Sequence, residues 1–132
     1  MDKIGVMTPE WAEGYARLWN SHEDTREGTK DLDMLIEMRL DAAEPRAVQI
    51  DIKAGEAVYG GAPLPGRKPD FVLTATAENW KRVATGGINP VTAITVRKIH
   101  FTGPLRVAMS HMPALTTGLR LVGDVEGLDW DI

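Results

Sequence analysis

The chain has 132 residues, no cysteine and a formal net charge of −4, with 43% apolar and 26% charged residues. That balance describes one globular domain, spanning 1–132 and able to bury roughly two-thirds of its unfolded surface, and it excludes a disordered chain, a disulfide scaffold and thiol catalysis. The acidic net charge argues against a nucleic-acid binder, which needs a basic face, and against strong attraction to anionic membranes; with no apolar run near 18 residues and no signal-peptide h-region, the chain reads as a soluble cytoplasmic protein without stable membrane insertion.

Thr8-Pro9-Glu10 supplies a cap, an N1 proline and a first-turn acid. Trp11, Tyr15, Leu18 and Trp19 follow at i, i+4, i+7 and i+8, the stripe of a helix that covers a core or, alternatively, of an exposed docking patch. Residues 20–30 are polar throughout and read as a loop or a weak solvated helix. From Asp31 to Leu40 the chain alternates, with Leu32, Met34, Ile36, Met38 and Leu40 on one side and Asp33, Leu35, Glu37 and Arg39 on the other, the pattern of a half-buried strand. A turn at Ala42–Pro45 leads to a second alternation at Val48, Ile50 and Ile52. Lys53-Ala54-Gly55-Glu56 is a hairpin turn into a third strand at Ala57–Tyr59. Gly60 to Pro69 reads as a Gly/Pro-rich surface loop, with Gly60-Gly61 as a turn and Arg67-Lys68 as its basic part.

Phe71–Ala75 is a fourth strand. Thr76 stands at a helix N-cap with Glu78 in the first turn, Trp80, Val83 and Ala84 follow at helical spacing, and Gly86-Gly87 ends the helix. Asn89-Pro90 starts another short helix with Val91 and Ile94 on one side. Lys98–Thr102 is a fifth strand, on which His100 has the opposite parity to Ile99 and Phe101 and so faces water. After a Gly103-Pro104 break comes a helix carrying Leu105, Ala108, Met109 and Met112. Pro113 ends it, Leu115, Leu119 and Val122 mark the next, and Gly123 caps that. The acidic tail keeps Trp130 and Ile132 as isolated apolar anchors.

No catalytic constellation emerges. His22, His100 and His111 do not share a metal-binding spacing, and His111 between Met109 and Met112 reads as a helix face with one polar neighbour rather than a soft-metal site. Ser21 and Ser110 lie in no nucleophile elbow. The carboxylates of 124–129 lack the order of a calcium loop, and neither glycine pair belongs to a phosphate loop. No metal or other cofactor is expected. Apolar residues on short, broken helices above a sheet form a core by default. Methionine's adaptability and the irregular packing of short helices also allow a lipid-sized cavity there.

The ordered set Ala84-Thr85-Gly86, Asn89-Pro90, Ala93, a charged strand ending at Gly103, and the helix with Val107-Ala108-Met109 resembles the sterol carrier protein-2 family, in which a Thr-Gly-x-x-x-Pro turn joins two helices. The motifs cover about a third of the chain, and the upstream strands fit in order. Val96-Arg97 depart from the Gln-Gly that the family commonly places before the strand lysine, and Ala77 stands where the helix start usually carries an acid.

The resulting expectation is an SCP2-like α+β domain: a five-stranded, mostly antiparallel sheet with helices covering one face. The resemblance implies a non-enzymatic carrier with a hydrophobic tunnel for a fatty acyl chain, acyl-CoA or sterol-like ligand. The expected lining is Trp80, Val83, Ile88, Val91, Ile94, Phe101, Leu105, Met109, Met112, Leu115 and Leu119. Burying a 14-carbon chain gains about 10 kcal/mol before ordering costs, and the segment after Pro113 is the expected door. Arg67 and Lys68 are assigned to the mouth, to meet a carboxylate or phosphate. The alternative is an accessory or interaction domain of a lipid-metabolism enzyme system, commonly a homodimer, with Trp11, Tyr15 and Trp19 as its contact surface.

Overall fold

A computed structural model describes residues 3–130. Five strands form the main sheet: β2 (Met34–Asp41), β3 (Arg46–Lys53), β4 (Glu56–Gly61), β5 (Phe71–Thr76) and β6 (His100–Thr102), in the order β4-β3-β2-β5-β6. Three of the four pairings are antiparallel, and β2 with β5 is parallel. The parallel pair follows from the connectivity. After the meander β2-β3-β4 the chain must cross from one edge of the sheet to the far side of β2.

Residues 62–70 make that crossing. They are a strap held down by polar contacts more than a free surface loop. Gln49 Oε1 accepts from the Leu64 amide at 2.8 Å, Arg67 Nη1 donates to Asp51 Oδ2 at 2.7 Å, and Asp70 Oδ2 accepts from the Leu35 amide at 2.8 Å. Gln49 Nε2 also donates to Glu37 Oε1 at 2.8 Å, and Arg39 reaches the other Glu37 oxygen. The second face of β2 and β3, expected to be wet, is therefore buried at Leu35, Glu37, Gln49 and Asp51, and the three polar side chains among these each have a partner.

Helices cover the other face. In α1 (Pro9–Ser21) the Thr8 hydroxyl accepts from the Trp11 amide at 3.3 Å. Trp11, Tyr15 and Trp19 are almost wholly buried, so the alternative of an exposed docking patch is overturned. Trp19 Nε1 donates to the Gly55 carbonyl at 2.9 Å and Tyr15 Oη to the Gly118 carbonyl at 2.6 Å, which ties α1 to the β3–β4 hairpin and to the C-terminal helices. The polar segment after α1 contains α2 (Glu23–Gly28), anchored by two buried threonines: Thr25 donates to the Trp19 carbonyl and Thr29 to that of Thr25, both at 2.6 Å.

Gly60 and Gly61 lie inside β4 rather than in a turn. A Cβ on Gly60 would stand 2.3 Å from the Ala12 carbonyl oxygen, so the side-chain-free position is what lets α1 lie directly on the strand.

The motif region folds as its caps predict. The Thr76 hydroxyl accepts from Asn79 N at the start of α3 (Ala77–Ala84), and Asn89 Oδ1 accepts from Val91 N at the start of α4 (Pro90–Thr95). Past the Gly103-Pro104 break the boundaries shift. The helix α5 (Leu105–Ser110) is shorter than expected, and α6 (Met112–Arg120) begins at Met112 with Pro113 in its first turn, where a missing N–H costs nothing. A 3-10 turn, Leu121–Asp124, leads to β7 (Leu128–Asp129), which pairs in parallel with β1 (Ile4–Gly5) in a small second sheet. Trp130 packs partly buried against the core; Ile132 lies outside the described residues.

Candidate functional site

The inner wall of the site comes from the alternation of the sheet. Ile36, Met38, Phe71 and Leu73 all point to the helix-covered face, and Phe101 on β6 pairs with Leu73, bringing its ring to 5.7 Å from that of Phe71. Tyr15 and Trp19 close one end, and Ala108, Met112, Leu115, Gly118 and Leu119 of α5 and α6 close the top. Between them is an almost wholly apolar void of about 30 Å³, space for a water molecule or two. Ligand sites occupy roughly 300–1,000 Å³, so this interior is closed to an acyl chain as it stands.

Next to it runs an open groove of about 500 Å³ between α4, the segment leading into β6, and α5. Val91 and Ile94 form one bank, Leu105, Met109 and Met112 the other, and Phe101 the floor, with Arg97 and His100 at its polar end. Ile94, Phe101, Ala108 and Met112 line both spaces, so a few side chains form the whole partition between groove and interior.

Of the eleven residues expected to line a ligand space, eight border one or both: Val91, Ile94, Phe101, Leu105, Met109, Met112, Leu115 and Leu119. Three do not. Trp80 and Val83 are fully buried core residues under α3, with Trp80 Nε1 donating to the Arg39 carbonyl at 3.1 Å, and Ile88 packs on the core from the loop after α3. Helical spacing identifies an inward face and cannot tell which inward side chains abut a gap. Sequence reasoning misses the sheet-side and α1 residues, because strand alternation and an aromatic stripe look the same whether they line a void or fill it.

Two further assignments change. Arg67 is on the opposite face of the sheet, bound to Asp51, and that hydrogen bond raises its pKa above the ordinary guanidinium value; Lys68 is its exposed neighbour. Neither lines the groove. The door expected after Pro113 is clamped: Gly28 of α2 lies so close to α6 that a Cβ there would meet that of Ala114 at 2.6 Å, and Gly118 sits against the Trp19 ring. By contrast, α5 buries only Ala108 and exposes Leu105 and Met109.

His111 accounts for itself structurally, with Nδ1 2.8 Å from the Val107 carbonyl and Nε2 3.2 Å from Asp31. Among the described residues no group of three or more His, Cys, Asp or Glu side chains is placed to hold a metal ion, and no helix is long and apolar enough to cross a membrane.

The profile of the SCP-2 sterol transfer family matches residues 15–116, which takes in the five-stranded sheet and most of the helical layer from α1 to α6. The chain belongs to the SCP-2 sterol transfer family. Membership places lipid binding or transfer as its broad functional class. Solved structures agree on the fold. A crystal structure of sterol carrier protein 2 superposes with a TM-score of 0.80 at 20% identity, covering 91% of this chain and 98% of that one. A Thermus thermophilus protein described as possibly a sterol carrier protein gives 0.74 at 20% identity, covering 92% of each. A sec-alkyl sulfatase gives 0.56 at 16% identity; 73% of this chain matches only 15% of that one, so the same fold also occurs as one part of a larger enzyme. A comparison with curated protein sequences finds no match.

Proposed function

We propose that the protein is a non-enzymatic carrier that takes a fatty acyl chain, an acyl-CoA tail or a sterol-like ligand into the α4–β6–α5 groove and, by displacing α5, into the space beneath it. The observation that carries this reading is the 500 Å³ groove sharing Ile94, Phe101, Ala108 and Met112 with the inner void. The binding energy is that of apolar burial, about 0.8 kcal/mol per CH₂, which needs no directed polar chemistry. The gate assigned to α5 follows from its small buried area, the mark of a unit that opens at low cost. Met112 and Met109, unbranched and polarizable, suit a wall that must repack around guests of different shape.

Native mass spectrometry of the protein purified from cells, followed by organic extraction, tests the proposal. Adducts of lipid mass are expected, together with saturable uptake of a fluorescent fatty acid. A clean apo mass with no uptake at micromolar ligand removes the carrier reading.

The second reading, an accessory domain of a lipid-metabolism enzyme system, draws support from the fold's occurrence within a sec-alkyl sulfatase. Its contact surface would have to lie away from the buried Trp11, Tyr15 and Trp19.

A further inference from the structure

Charge is distributed very unevenly along this acidic chain. Between Glu78 and Asp124 there is no carboxylate side chain at all, while Lys81, Arg82, Arg97, Lys98, Arg106 and Arg120 are all present; the rest of the chain sets nine cationic side chains against all nineteen acidic ones. The net charge of −4 therefore conceals a basic segment, and that segment builds the whole groove.

At the groove the cations stand beside exposed apolar tips. Among the described residues four large hydrophobic side chains are exposed to solvent, and three are here: Val96 (55%), Leu105 (58%) and Met109 (55%). They are interleaved with Arg97, Lys98 and Arg106, which form no ion pair among the described residues. Asp31 and Asp70, which reach this region from elsewhere in the chain, are both engaged, Asp31 with His111 and Asp70 with the Leu35 amide. Among the described residues no acidic side chain lines the groove. Arg97 is also held at φ +62°, a left-handed backbone that turns the chain sharply between α4 and β6.

We infer that the rim formed by Val96–Lys98 and Leu105–Met109 docks on an anionic lipid bilayer, with the cations meeting headgroups and the three apolar tips entering the interface. Clustered exposed apolar residues mark interaction sites. Apolar tips flanked by Lys and Arg that have no ion-pair partner among the described residues match a surface that is apolar within and negative at its edge. The geometry places the groove mouth at the membrane. That coincidence gives the carrier of the preceding proposal a route for lipid that avoids water, but the docking surface stands independently of it.

The test uses flotation with phosphatidylcholine vesicles with and without phosphatidylserine. The protein should partition onto the serine-lipid vesicles only and be released by high salt. Each basic residue near an anionic surface changes partitioning about fivefold, so Lys98→Glu/Arg106→Glu, neither of which lines the groove, should lose about 30-fold or more while still taking up fluorescent fatty acid in solution. A charge-matched control, Lys53→Glu/Lys68→Glu, should stay within a few-fold of the parent. Because the chain has no cysteine, Val96→Cys carrying an environment-sensitive dye reports insertion directly. Its emission should shift blue on anionic vesicles, and that of Val58→Cys, equally exposed on edge strand β4, should not. No partitioning by the parent, equal loss in both double variants, or equal dye response at 96 and 58 would each overturn the inference. Lost fatty-acid uptake with vesicle binding intact would sink the carrier reading and leave docking in place.

Discussion

Arg97 holds a left-handed backbone that glycine adopts without penalty, and an L side chain there costs roughly 1–2 kcal/mol. Arg97→Gly relieves that strain but loosens the unfolded chain by about 0.5–1 kcal/mol. The expected net is a gain of about 0.5 kcal/mol, read as a raised urea midpoint at unchanged slope. A lowered midpoint would show that the arginine side chain contributes contacts that outweigh the strain.

Tyr15 carries a pH dependence. Burial pushes its hydroxyl pKa well above the ordinary value near 10, and the proton is donated to the Gly118 carbonyl. Above pH 10 the unfolded chain has lost this proton and the folded one has kept it, so stability is complete below that pH and falls as pH rises further. Tyr15→Phe should flatten the fall seen in denaturant titrations above about pH 10, while costing about 1 kcal/mol at neutral pH through the unpaired carbonyl. An unchanged alkaline slope would remove Tyr15 as its source.

At the scale of elements, the approach of α1 to β4 decides how deep the aromatic stripe sits. Gly60→Ala forces its Cβ to within 2.3 Å of a backbone oxygen that cannot rotate away. Helix and strand must separate, at a cost of about 1–3 kcal/mol. Gly66→Ala is a poor control, since Gly66 has a positive φ; Ala62→Gly, in the exposed start of the strap, is a better one and should cost less. Thermal unfolding of both variants gives the comparison, and an unshifted Tm for Gly60→Ala would contradict this packing.

A glycine inside an apolar run, rather than between runs, is a sign of close backbone approach, and Gly60 carries it. The Gly-Gly pair beside a proline-rich segment looks more like a turn, and that local likeness outweighs the sign when only the sequence is read. The helix caps are legible because each is a side chain bonding an amide within three residues, as at Thr8, Thr76 and Asn89. Pro113 is ambiguous because proline both ends helices and begins them, and only the break at His111 shows which.

For the whole molecule, the partition between groove and interior is the feature on which the proposed activity turns. Met112 borders both spaces, so Met112→Arg places a charge in the apolar wall and should weaken fluorescent fatty-acid binding at least about tenfold. In an accessory domain the same change only destabilises. Retained uptake by a folded Met112→Arg protein would move the ligand elsewhere.

The order of strands and helices, the caps, the inward faces and the family motif are all present in the sequence, because each is encoded within a turn, an alternation or a short segment. The parallel β2–β5 pairing, the strap across the second face, and the division into a 30 Å³ void and a 500 Å³ groove belong to the tertiary structure alone. A gap is the small difference between large packed volumes contributed by residues distant in the chain, and no local pattern records that difference.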